Sequence, residues 1–136
     1  MRVIRLAIVH ALSTDSAVQA LVGTAVYHAL APDGATMPYV IVAQQPGGGR
    51  ERTFAKGVVM RRTRWLVKGV AESKLVSEEI DEACDAVLDN ASGTAPLDVT
   101  PYTLMVSERD VDLSYPERDA GIVVHHTGGI YDIGVQ

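Results

Sequence analysis

The chain has 136 residues, of which 47% are hydrophobic, and a formal net charge of −5. This is the length of one domain with a core large enough to fold without a disulfide or metal, and wholesale disorder is excluded. The single cysteine, Cys84, rules out an intramolecular disulfide, no apolar run approaches the ~20 residues of a membrane span, and the acidic balance argues against a dedicated nucleic-acid binder.

The first element runs from about Arg2 to Leu12, where Val3, Leu6, Ala7, Val9 and His10 fit a helix buried on one side. Met1–Ser13 has a faint likeness to a signal peptide. Its apolar stretch is short, contains His10 and runs into a second helical pattern, so a helix is the better reading. Asp15 or Ser16 can cap a short helix, Ala17 to Val22, that Gly23 stops. Ala25 to His28 reads as a brief extended piece, and Ala31 to Gly34 as a turn.

Pro38 opens a strand predicted from Tyr39 to Gln45, which Pro46 and Gly47–Gly49 end. A second strand is predicted from Val58 to Val70, making a hairpin with a long tip over 46–57. Along the second strand, Arg61, Thr63, Trp65 and Val67 share one face. Arg62, Arg64, Leu66 and Lys68 share the other, which reads as facing solvent or a partner.

The clearest helix is Ser73 to Asn90, with Ser73 as N-cap. Val76, Ile80, Ala83, Val87 and Leu88 form its apolar stripe, flanked by Leu75 and Cys84. A loop over 91–96 leads to strands at about Val99 to Glu108 and Gly121 to Thr127, joined by a charged connection from Arg109 to Ala120. The tail beyond Thr127 extends the last strand or hangs free. The expected fold is a single α+β domain spanning 1–136: an antiparallel four-stranded sheet of two hairpins, with helices packed on one face.

Charge is segregated. From Arg50 to Lys68 there are seven bases and one acid; from Glu72 to Asp119 there are thirteen acids against three bases. Copies could attract head to tail through these regions, or the regions could neutralise each other within one fold.

No arrangement of residues points to catalysis. Gly47–Gly49 leave a strand and lack the Lys-Ser/Thr pair that a phosphate cradle uses. His125 and His126 are adjacent on a strand, point to opposite faces and cannot chelate one ion. Cys84 lies between acids in mid-helix, the environment of a core thiol and not of an activated one. Asp110, Asp112, Glu117 and Asp119 match no calcium loop, and with Arg109 and Arg118 among them they read as surface ion pairs. No cofactor is expected. The tip residues Arg50, Arg52, Phe54 and Lys56 combine bases with the only phenylalanine. They suit contact with a partner subunit or, less well, with nucleic-acid phosphates and a stacked base. The plain alternative is a solvated loop.

The segment from Asp15 to Val42 resembles the start of the tail terminator (tail completion) proteins of long-tailed bacteriophages. Leu21-Val22-Gly23 ends a short helix, Val26-Tyr27 follows, and Pro38-Tyr39-Val40-Ile41 opens the strand. Arg61–Val70, Ser73–Leu88 and Val99–Thr127 continue the same order. The 46–57 tip and the Arg109–Ala120 connection depart from it. The resemblance implies a non-enzymatic virion protein, made in the host cytoplasm, that forms a ring, typically six-fold, ending tail-tube growth and joining tail to head. Its partners would be copies of itself, the tail tube protein, a head–tail connector protein and DNA in the lumen, with no membrane. The tip and the strand face of Arg62, Arg64 and Lys68 would make the contacts. Two alternatives are another neck subunit and a small ligand-binding or enzymatic domain with His125 or His126 beside an acid in a polar pocket.

Overall fold

A computed structural model describes residues 1–52, 57–89 and 97–136. In chain order the elements are α1 (Arg2–Thr14), α2 (Ser16–Val22), β1 (Val26–His28), β2 (Tyr39–Arg52), β3 (Val58–Ala71), α3 (Lys74–Leu88), β4 (Leu104–Asp119) and β5 (Ile122–Val135).

The strands form one five-stranded sheet in the order β1-β2-β3-β5-β4. The expected two hairpins are present, but the sheet is mixed and not a purely antiparallel four-stranded one. The brief extended piece is a fifth strand that pairs in parallel with β2, Val26 opposite Val40 and His28 opposite Val42. Three residues are too few to show an alternation. Their pairing depends on residues 29–38 folding back across the sheet, where Ala31 and Met37 pack with Tyr27 and Tyr39 against Ile41, Val70 and Val124.

Asp15 caps α2, its carboxylate accepting from the backbone N–H groups of Ala17 and Val18, and Gly23 ends the helix with a positive φ. Ser73 caps α3 through the Val76 N–H. Each such cap stabilises its helix by about 1 kcal/mol. The buried stripes are rotated from those expected. In α1 they are Ile4, Ala7, Ile8 and Leu12, while Leu6 is half exposed. In α3 they are Ser77, Ile80, Cys84 and Leu88, while Leu75 is exposed. Ser77 tolerates this place because its hydroxyl bonds both the Lys74 carbonyl and the Thr127 hydroxyl of β5. The helices lie on one sheet face over Val40, Val42, Trp65, Val67, Tyr131 and Ile133. Each fully buried large aliphatic side chain there is worth roughly 1.5–3 kcal/mol.

Two sequence boundaries need correction. The 46–57 segment is not all hairpin tip, because β2 continues through the glycines to Arg52. Between the pairs Gln45–Arg64 and Gly49–Arg62, β2 advances further than β3, which makes a bulge. Gly47 and Gly48 there have φ of 112° and 78°, and a Cβ on Gly48 would run into the Arg62 carbonyl. Beyond the bulge Arg50 pairs with Arg61, so the bases expected on a loop begin on a ladder. Likewise Arg109–Ala120 is no connection. It is the body of β4, joined to β5 by the two-residue turn Ala120-Gly121, both with positive φ. The tail completes β5 as far as Val135.

Candidate assembly interface

The sheet face away from the helices is covered where Ile41, Val70 and Val124 pack against Tyr27, Ala31 and Met37, and is half-buried to exposed around Arg62, Arg64, Leu66 and Lys68. The register aligns its side chains in rows across the strands: Ala43, Leu66, Ile130, Val111; then Ile41, Lys68, Gly128, Leu113; then Tyr39, Val70, His126, Tyr115. As expected, Arg62, Arg64, Leu66 and Lys68 lie on this face, opposite the buried Trp65 and Val67.

The three bases of that face are engaged within the chain. Arg62 bonds Asp132 at 2.7 Å and lies 3.6 Å from Glu51; the bond to Asp132 raises its pKa further. Arg64 meets Asp110 at 2.9 Å. Lys68 donates to the Tyr115 hydroxyl at 2.8 Å and lies over its ring. Arg64 with Asp110 thus joins the basic and acidic regions of the sequence inside one fold, whereas Arg62 is neutralised by Asp132 and Glu51, which lie outside the acidic region.

Arg50 and Arg61 differ. They are directly opposite each other on β2 and β3, both are exposed, and among the described residues neither has an acid within ion-pair distance. Like charges directly across a ladder are unfavourable. Arg50 and Arg61 also line a cavity of about 390 Å³ with Gln44 and Gly49. Arg52 closes β2, whereas Phe54 and Lys56, the rest of the expected tip, lie outside the described residues.

Arg109, read from sequence as a surface partner, is largely buried between β4 and α3. It makes a two-pronged pair with Asp81, bonds Asp112 at 2.6 Å, and donates to the Gly128 carbonyl and the Tyr131 hydroxyl. These bonds drive its pKa far up, and burial with the Asp85 bond drives that of Tyr131 up too. The only sequence signal for this centre was the spacing of Asp81 and Asp85 on α3, which puts both carboxylates on one helix face.

His125 and His126 do fall on opposite faces. His126 is 7% exposed, stacks on Tyr115 with ring centroids 4.6 Å apart, and has Nε2 2.7 Å from Glu117. Burial, followed by the Lys68 charge, lowers its pKa despite Glu117. The ring is therefore neutral, with Nε2–H donating to Glu117 and Nδ1 buried without a partner. It is packed beneath Tyr115 and lines none of the cavities near Arg50, near His10 or near Arg109. Cys84 is buried and its thiol is pushed up to about 12, by burial first and then by the Asp81 charge. Among the described residues no three His, Cys, Asp or Glu side chains come close enough to share an ion, and no helix is long and apolar enough to cross a membrane.

Residues 6–120 match the family described as tail completion protein gp17. No curated protein matches the chain. Among solved structures, a chain in the virion of a native gene transfer agent particle shares the fold with a TM-score of 0.77. The likeness covers 97% of this chain and 93% of that one at 17% sequence identity. The chain belongs to the tail completion protein gp17 family and is a structural protein of the phage virion tail.

Proposed function

We propose that the chain assembles with copies of itself into a closed ring at the head-proximal end of the tail tube, where it ends tube growth and joins tail to head. The family match over residues 6–120 carries this reading. The fold shared with a chain of a gene transfer agent virion agrees with it. The partners are further copies, with six as the expected number, the tail tube protein and a head–tail connector protein, and DNA passes through the lumen. The protein's work is assembly and not catalysis.

The contacts are assigned to two surfaces. Arg50 and Arg52, with Phe54 and Lys56, reach a neighbouring copy, the tube or the lumen. The open face bearing Arg62, Arg64 and Lys68 presents a second surface whose two arginines are already paired with acids, which suits it to packing more than to phosphate binding.

Native mass spectrometry across concentration and salt, with negative-stain imaging, tests the ring. A closed oligomer, in solution or on added tail tubes, is expected. A chain that stays monomeric and binds no tube rejects the proposal.

A further inference from the structure

We infer that the joint between copies is an antiparallel pairing of two sheet edges: the acidic outer edge of β4 in one copy against the basic outer edge of β2 in the next. This rests on the ring reading above and names the surfaces that close the ring.

The topology supplies both edges. In the order β1-β2-β3-β5-β4, strand β4 is an end strand, and no described strand pairs with its outer side. At the opposite end β1 covers β2 only at Val40–Val42, with the Ala29 N–H bonding the Val42 carbonyl. Past that point the outer side of β2, from Ala43 to Glu51, meets no other described strand. Exposed backbone donors and acceptors of this kind are a template for another strand.

Polarity also fits. β2 runs antiparallel to β3, β3 to β5, and β5 to β4, so β4 runs opposite to β2. Repeating the subunit side by side places each β4 antiparallel to the next copy's β2. Because the two edges are different surfaces, the contact is head to tail, the kind that closes into a ring when the rotation between copies allows.

Charge decides which edges meet. β4 carries Glu108, Asp110, Asp112, Glu117 and Asp119. Two β4 edges would repel, and Pro116 removes one donor from a ladder. The β2 edge ends on Arg50, Glu51 and Arg52; Glu51 lies 3.6 Å from Arg62, while Arg50 is set against Arg61 with no acid at ion-pair distance among the described residues. An acidic strand from outside removes that repulsion. On β4, Asp89 already takes the Arg109 N–H at 2.9 Å. The run available for pairing therefore begins at Asp110 and extends to Tyr115, ahead of Pro116. Asp112, 85% exposed although it also holds Arg109, is the acid most open to a neighbouring arginine.

Arg50→Glu and Asp112→Lys, each in the full chain, test the joint by sedimentation and native mass spectrometry, with thermal melts confirming the fold. Each single variant should self-associate roughly tenfold more weakly, and the doubly exchanged chain should recover most of the loss. A chain carrying both Arg50→Cys and Asp112→Cys should give a ladder of disulfide-linked oligomers on oxidation. Either cysteine alone should give none, since Cys84 is buried. Rings formed by the wild-type chain, together with no cross-link in the double-cysteine chain and no weakening by Arg50→Glu, overturn the joint but not the ring. Links formed only to the tube subunit also overturn it. Failure of the wild-type chain to associate in solution or on tubes overturns both.

Discussion

Arg109 on β4 and Asp81 on α3 are clamped together by two parallel hydrogen bonds, Nη1 to Oδ1 at 2.7 Å and Nη2 to Oδ2 at 3.1 Å. Their side chains are only 17% and 15% exposed. This pair fixes the helix layer to an end strand of the sheet, and its remaining donors serve Asp112, Gly128 and Tyr131.

Lysine cannot reproduce that fork. Arg109→Lys should therefore lower stability by about 3 kcal/mol, and Tm by roughly 10 °C, because Asp81 and the Gly128 carbonyl lose their donors. Chemical denaturation and a thermal melt check this. A change under about 0.5 kcal/mol, the size typical of a surface ion pair, would show that the clamp contributes no more than solvent would.

Cys84 gives an alkaline signature. Its folded thiol is raised from 9.0 to about 12, so the unfolded chain releases the proton first. The stability it contributes is complete below about pH 9 and is lost as pH rises toward 12. Tyr131, also raised, adds to the same loss. Cys84→Ala should be less stable at neutral pH, through its lost volume, yet show a shallower decline of Tm from pH 9 upward. In the native chain the thiol should resist iodoacetamide until denaturant is added; rapid alkylation at neutral pH contradicts the burial argument.

Much of the fold was legible because local chemistry agreed with tertiary structure. The caps at Asp15 and Ser73, the β2–β3 hairpin and the α3 helix all follow from residue type and spacing. The β1 pairing was not, since a parallel partner is chosen by the path of residues 29–38 and not by the three residues themselves. The β4 strand was hidden for the opposite reason. Its exposed edge position permits Asp110, Asp112, Glu117 and Asp119, so its composition reads as a loop. The α3 stripe is rotated because it includes Ser77, a residue whose type does not signal a core position; its hydroxyl is satisfied there by the Lys74 carbonyl and the Thr127 hydroxyl. Of the expected contact residues, the face holding Arg62, Arg64 and Lys68 followed from period-two alternation. Their internal partners Asp132, Asp110 and Tyr115 did not, because they lie far away in sequence.

His126 should govern part of the acid limb. Its folded pKa lies below 6.5, so its stabilising effect is present above that value and is lost as pH falls, when the unfolded ring takes up a proton that the folded ring resists. His126→Phe keeps the stack on Tyr115 and removes the unpartnered Nδ1. Its Tm should change less than that of the wild type between pH 7 and 5. Parallel pH profiles for the two chains would place the acid sensitivity in other groups.

Gly69 and Gly48 separate stability from assembly. A Cβ on Gly69 would lie 2.6 Å from Ile80 Cγ2 and 3.1 Å from the Ser77 carbonyl, where β3 packs against α3. Gly69→Ala should cost about 1–3 kcal/mol through overpacking while the outer edge of β2 keeps its course. A Cβ on Gly48 meets the Arg62 backbone instead, at a φ of 78° that only glycine adopts easily. Gly48→Ala must therefore deform the bulge that leads into Arg50, while the core face of Val40, Val42 and Trp65 lies elsewhere on the sheet. Comparing the two by thermal melt and native mass spectrometry, Gly69→Ala should lose the more Tm and Gly48→Ala the more self-association. The reverse ranking would mean that the bulge serves the fold alone and that the distal part of β2 is not where copies meet.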